Sequence, residues 1–196
     1  MISNQEREEV AKRWKASTAQ IYRQEADDTR SITSKHAARN TIRSGIFLQE
    51  LLKRRIMTVE KVVEMRTDAW IRTLSKRTKP IPPEDKREVV EDVKQIISSR
   101  CETVERAVME KAKQILGRKS DQLEGWKRQV EQECSRLLAR FKSEVECRIM
   151  GLDRSIQEKR KWKRTEKISL ASAAASIIAT AVSIISLILS LKAFHK

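Results

Sequence analysis

Turn-forming residues are scarce in this sequence. Four Gly and three Pro among 196 residues leave few sites for tight turns, which argues against a sheet-rich fold and for a mostly helical chain. Aromatic residues make up 4% of the chain and charged residues 35%, a balance that fits long, charge-laced helices better than a thick globular core. Three cysteines, Cys101, Cys134 and Cys147, are odd in number and lack metal-ligand spacing, as expected of free thiols in a reducing compartment. The two histidines, His36 and His195, have no Cys or carboxylate cluster around them at a recognisable spacing. Gly117-Arg118-Lys119-Ser120 resembles part of a phosphate loop, but the G-x-x-x-x-G-K-[ST] spacing is missing and no strand pattern precedes it. The paired acids Asp27-Asp28 and Glu84-Asp85 suit solvated helix ends. No catalytic residue, cofactor site or metal site follows from these residues, and the expected activity is binding rather than catalysis.

A further absence is local. Residues 168–191, ISLASAAASIIATAVSIISLILSL, contain no charge, and a helix of that length would measure about 36 Å, enough for a hydrocarbon core of about 30 Å. The expectation is a single-pass transmembrane helix followed by a short tail, 192–196. Just before it stands a basic collar, Lys159, Arg160, Lys161, Lys163, Arg164 and Lys167, with Trp162 among the charges. By the positive-inside rule such a collar places the N-terminal bulk in the cytoplasm, and an indole there suits the headgroup layer. The opening MISNQEREEV has no apolar signal region, and a span this near the C-terminus implies post-translational, tail-anchored insertion. Anionic lipids are the expected partner of the collar, at about 1 kcal/mol per Lys/Arg near the surface. Within the span, Ser172, Ser176, Thr180 and Ser183 lie on a small polar stripe that would let another helix approach closely, for association in the bilayer or, in a sharper reading, to line a pore.

The formal charge of +15 is uneven. Residues 1–80 carry 18 Lys/Arg against 10 Asp/Glu, residues 84–158 carry 16 against 16, and residues 159–167 add +5. Positive excess raises nucleic acid as a partner for the N-terminal part, but no zinc-finger, RNP or helix-turn-helix signature accompanies it, so that partner is disfavoured.

One proline cluster, Lys79-Pro80-Ile81-Pro82-Pro83-Glu84-Asp85, divides the chain. Proline ends an incoming helix yet is tolerated in the first turn of the next, where acids favour the positive dipole end. The organisation read from this is a basic first arm (1–79), a Pro-rich turn (80–83) and a second arm (84–158) leading into the collar. Ser3 and Glu6 form an S-x-x-E capping box for the first helix.

The second arm carries apolar residues every eleven positions. One set is Val90, Cys101, Ala112, Leu123, Cys134, Val145 and Ile156; a second is Val93, Val104, Ile115, Trp126 and Leu137; a third is Ile97, Val108, Val130, Phe141 and Leu152, with Lys119 and Arg148 as exceptions. Eleven residues in three turns keeps a stripe on one side of a nearly straight helix. In the first arm Leu48, Val59 and Trp70, with Leu52, Val63 and Leu74, share that period. A helix from about 41 to 78 is therefore expected to fold back on one starting near 84, with the polar run 27–40 as a break or a frayed helix. Leu116-Gly117 before Ser120-Asp121 has the form of a helix end and a new cap, which would give a four-helix bundle. The repeat keeps its phase across that site and favours a continuous arm.

The expected molecule is thus all-α: a long antiparallel helical hairpin or coiled coil followed by a transmembrane helix. It would serve assembly, tethering or scaffolding as a homo-oligomer or with a helical protein partner. The stripe residues Val90, Val93, Ile97, Val104, Val108, Ile115, Leu123, Trp126, Val130, Leu137, Phe141 and Val145 would carry the pairing. The alternative reading is an oligomeric membrane-disrupting or pore-forming effector, and a stripe of this period can also lie on lipid.

Overall fold

The computed structural model describes residues 1–42, 44–117 and 120–194, with side chains described up to residue 177 except at residue 120. Among the described residues there are four helices and no strand: α1 (Asn4–Ala38), α2 (Gly45–Leu74), α3 (Pro83–Leu116) and α4 (Ser120–Phe194). Two compact units are distinguished, residues 1–77 with 81–153, and residues 78–80 with 154–196.

Local chemistry sets the helix ends. The Glu6 N–H donates to Ser3 Oγ at 3.2 Å while the Ser3 N–H donates to Glu6 Oε2 at 2.8 Å, satisfying two donors that the first helical turn leaves open. Asn40 takes a left-handed φ of 52°, a conformation Asn tolerates better than most residues. The Thr41 N–H then reaches back to the His36 carbonyl at 2.9 Å. Ser44 caps α2 through the Phe47 N–H at 3.4 Å. Pro82 and Pro83 open α3 in extended and first-turn positions, where a missing N–H costs nothing.

The first unit is an antiparallel bundle whose register is written by ion pairs. Arg77 bonds Glu6 at 2.7 and 2.8 Å and Arg55 bonds Glu25 at 3.2 Å, which runs α2 against α1. Arg66 grips Asp92 through two bonds of 2.7 and 2.8 Å, and Trp70 Nε1 donates to the same carboxylate at 2.6 Å, which ties α2 to α3. Arg140 pairs with Glu60 at 2.9 Å, and Arg148 pairs with Asp68, so α4 lies along α2. Lys86 and the Ile81 N–H both bond Asp153, at 2.6 and 2.9 Å, closing α3 on α4.

The core lies between these contacts. From α2 it takes Leu48, Leu52, Val59, Val62, Val63, Trp70 and Leu74; from α3, Val89, Val93, Ile97, Val104 and Val108; from α4, Val130, Leu137, Phe141, Val145 and Ile149. α2 buries thirteen residues against four in α1, so α2 is the central element. Burial of this apolar surface, at about 25 cal/mol per Å², holds the helices that the ion pairs align.

Three expectations are corrected. The polar run 27–40 is helical through Ala38, so the first arm is itself a hairpin of two helices. The second arm is not continuous. Gly117 adopts φ 67° and ψ −140°, a region essentially closed to residues with a Cβ, and the chain reverses there into α4. The repeat keeps its phase because both helices turn their stripes to one core.

The third correction concerns the membrane. Among the described residues no helix is long and apolar enough to cross a bilayer. In residues 168–177 only Ile168, Leu170 and Ile177 are large and apolar; the Ala and Ser between them add little apolar area, and each hydroxyl opposes transfer. The transmembrane helix, tail anchoring, single-pass topology, membrane localisation with a cytoplasmic bulk, and the membrane-disrupting or pore-forming reading all rested on that span and fall with it. The side chains of 178–191, including Thr180 and Ser183, lie outside the described residues, as do those of 192–194 and all of 195–196.

Gly117 and Gly125 give opposite expectations for one substitution. A Cβ meets nothing within 4 Å at either position. Gly117→Ala should nevertheless destabilise by about 1–3 kcal/mol through its backbone conformation, whereas Gly125→Ala, in a helix, should stabilise by about 0.5–1 kcal/mol. Urea unfolding followed by circular dichroism measures both.

Candidate interaction surface

Arg160, Lys163, Arg164 and Lys167 recur at i, i+3, i+4 and i+7, which puts them on one face of α4. With Lys161, Gln157 and Pro80 they line a basic depression within the second unit. The same face continues through Leu170, Ala174 and Ile177 at steps of three and four. Every side chain from residue 157 to 177 is exposed, large apolar ones included: Trp162 at 68%, Leu170 at 66% and Ile177 at 70%. Trp162 sits away from the depression. Ser172 and Ser176 lie on the exposed surface of this stretch.

Charge is handled differently in the two units. In the first, Arg54, Arg55, Arg66, Lys86, Arg140 and Arg148 each meet a carboxylate of another helix, and Arg77 of the α2–α3 connection meets carboxylates of α1 and α3. In the second, no ion pair joins any of the six collar cations to an acid among the described residues. The collar is the concentrated positive charge that the fold leaves uncompensated.

The stripe residues divide by depth. Val93, Ile97, Val104, Val108, Val130, Leu137, Phe141 and Val145 are buried within the chain's own bundle, and Val90, Ile115, Leu123 and Trp126 are half-buried. Ile115, Leu123 and Trp126 pack on a cluster of Phe47, Leu48, Leu51 and Ala112. Val90 borders a groove between α3 and α4 with Ile149 and Met150, rimmed by Glu84, Arg87, Glu91 and Lys142. Sequence reasoning missed Pro80 and Gln157 as collar neighbours, since only folding brings the proline connection to α4. It also missed Ile149 and Met150, which lie off the sets used to trace the repeat. The i, i+3, i+4, i+7 spacing of the basic face was there to be read.

One cluster has the order of a catalytic triad. His36 Nδ1 lies 2.8 Å from Thr41 Oγ1, and Nε2 lies 2.8 Å from Glu50 Oε2. The ring is buried and meets Phe47 edge-on at 5.4 Å. Both Thr41 N–H and Thr41 Oγ1 point back to the His36 carbonyl, at 2.9 and 3.5 Å. That is the geometry of a helix end fastened to its neighbour, so the hydroxyl belongs to the turn. Among the described residues no group of three or more His, Cys, Asp or Glu is placed to hold a metal ion.

Compared with protein-family models, curated proteins and solved structures, the chain gives no match.

The ion pairs of the first unit make its stability depend on acid. The Arg77 guanidinium, with Ser3, lowers Glu6 from 4.5 to about 2; His36 and Lys35 lower Glu50, and Lys76 and Arg13 lower Glu9. A carboxylate with a lowered folded-state pKa adds stability above its unfolded pKa and loses it as pH falls through the folded one. The thermal midpoint should therefore drop as pH is taken from about 5 to about 2. Glu6→Gln should lower the midpoint at pH 7 and flatten that acid limb. An unchanged limb in Glu6→Gln would show that the Glu6–Arg77 pair has no part in it.

Proposed function

We propose that the protein is a helical assembly module whose work is binding, and that the basic face of α4 docks an acidic helix of a protein partner. The observation that carries this reading is a helical stretch, residues 157–177, in which no side chain is buried. Isolated helices in water are marginal, and in proteins most of their stability comes from packing. A helix that keeps Leu170 and Ile177 in water on the same face as four unpaired cations has the pattern of one half of a helix pair. The cations set the chemistry of the other half. A second copy lying parallel and in register would bring like charges together, whereas a partner helix with Glu or Asp opposite the collar and Leu or Ile opposite Leu170 and Ile177 satisfies both parts of the face.

The test uses the full chain and a synthetic heptad-repeat peptide with Ile/Leu at a and d and Glu at e and g. The peptide should bind, binding should weaken as salt rises, and reversing Arg160, Lys163, Arg164 and Lys167 together to Glu should cost at least about tenfold in affinity. Equal binding of random-coil polyglutamate, or no loss on charge reversal, would overturn the reading. So would retention on phosphatidylserine vesicles without peptide binding, which would assign the face to lipid headgroups, and a stable dimer by light scattering that the charge-reversed chain retains.

A further inference from the structure

The reversal at Gly117 has a chemical consequence on the two helices it joins. A hairpin pairs residues equidistant from its turn, and Cys101 on α3 and Cys134 on α4 stand almost symmetrically about Gly117. Nearer the turn, Ala112 and Leu123, which have the same relation to it, share one packed cluster. Farther out, Lys86 and Asp153 join the helices at 2.6 Å, so the pairing of α3 with α4 is fixed on both sides of the cysteines. Both thiols are half-buried on the stripe that faces the core, between Ile97 and Val104 on one helix and Val130 and Leu137 on the other.

We propose that Cys101 and Cys134 are a reversible dithiol–disulfide pair that cross-links α3 to α4 on exposure to a peroxide. The two sulfurs lie close enough for one to hold the other's proton: contact with Cys134, then burial, pushes Cys101 up, while contact with Cys101 pulls Cys134 down. Cys134 is therefore the sulfur that reacts first, since the thiolate is the nucleophile. It attacks one oxygen of hydrogen peroxide; the O–O bond breaks, Cys134 becomes a sulfenic acid, and the departing hydroxide takes a proton as water. Cys101 then loses its proton and attacks the Cys134 sulfur; the S–O bond breaks, a second water leaves, and the S–S bond forms. Two thiols and one peroxide yield one disulfide and two waters, the thiols giving up two electrons and the peroxide taking them. A thiol reductant reverses the cross-link. Cys147 is exposed and stands apart from this pair in the symmetry about the turn.

The experiment treats the folded full chain with one equivalent of hydrogen peroxide and reads intact mass, peptide maps and thermal midpoint. The expected product is a monomer lighter by two hydrogens, with a Cys101–Cys134 linked peptide and a midpoint raised by on the order of 5–10 °C, all reversed by dithiothreitol. Cys147→Ser should give the same product. In Cys101→Ser, Cys134 should be trapped as a sulfenic acid by dimedone, which reports the first step even if that variant is less stable. Dimers linked through Cys147, or a peroxide-treated chain in which Cys101 and Cys134 both remain open to alkylation after unfolding, would overturn the proposal.

Discussion

The position of α2 is the constraint from which the rest of the bundle follows. Its apolar residues Leu48, Leu51, Leu52, Val59, Val62, Val63, Trp70 and Leu74 cover too much of the helix for one neighbour to bury, so three helices must close on it. Its charges sort those neighbours. Arg54, Arg55 and, just past its end, Arg77 meet Asp28, Glu25 and Glu6 of α1; Arg66 meets Asp92 of α3; the acids Glu60 and Asp68 meet arginines of α4. Pairs of this exposure are worth about 0–1 kcal/mol each, too little to hold a bundle against chain entropy. Their effect is selective: a helix in the wrong slot or register would oppose like charges. Apolar burial supplies the adhesion and α2's charge order supplies the address.

That division explains why the collar stands out. A chain with 35% charged residues can fold into a helical bundle because most interhelical cations have an acid to meet, and residues 84–158 are neutral overall. Beyond the bundle α4 keeps its helical backbone while its pairing stops. The face that carries Arg160, Lys163, Arg164 and Lys167 includes buried Ile156 one turn earlier, so the interacting side of the helix is preserved and only its chemistry changes from apolar to basic and then to mixed Leu, Ala and Ile.

How much of this was legible depends on which signals compete. The eleven-residue stripe gave most of the core-facing residues of α3 and α4, though not the buried Val89 and Ile149, because burial imposes a period whatever the topology. The proline turn at 80–83 was legible because Pro has a local backbone effect. The α1–α2 turn was legible only as a polar run ending at Asn40: it lacks proline, its left-handed position is filled by Asn40, and its fastening through His36 and Glu50 leaves no local signal. The Gly117 turn was visible as Leu-Gly followed by Ser-Asp but was outweighed by the unbroken phase of the repeat. The uncharged segment misled for a related reason. Absence of charge was counted as hydrophobicity, while the Ala and Ser that fill its first half are apolar or polar only to a small degree.

Phase across Gly117 turns out to carry information of a different kind. In a continuous helix Cys101 and Cys134, three repeats apart, would share a face but be separated by roughly 50 Å. Folding at the midpoint brings the same two positions opposite each other, and with them each pair of stripe residues placed symmetrically about the turn. Periodicity then bears on contact as well as facing: Ala112 and Leu123, also placed symmetrically about the turn, share one packed cluster. A cysteine at such a position in a straight coil would be an isolated small apolar residue, whereas two of them on a hairpin are a pair. The backbone freedom of a single glycine therefore decides whether this chain has three unrelated thiols or one redox couple and one bystander.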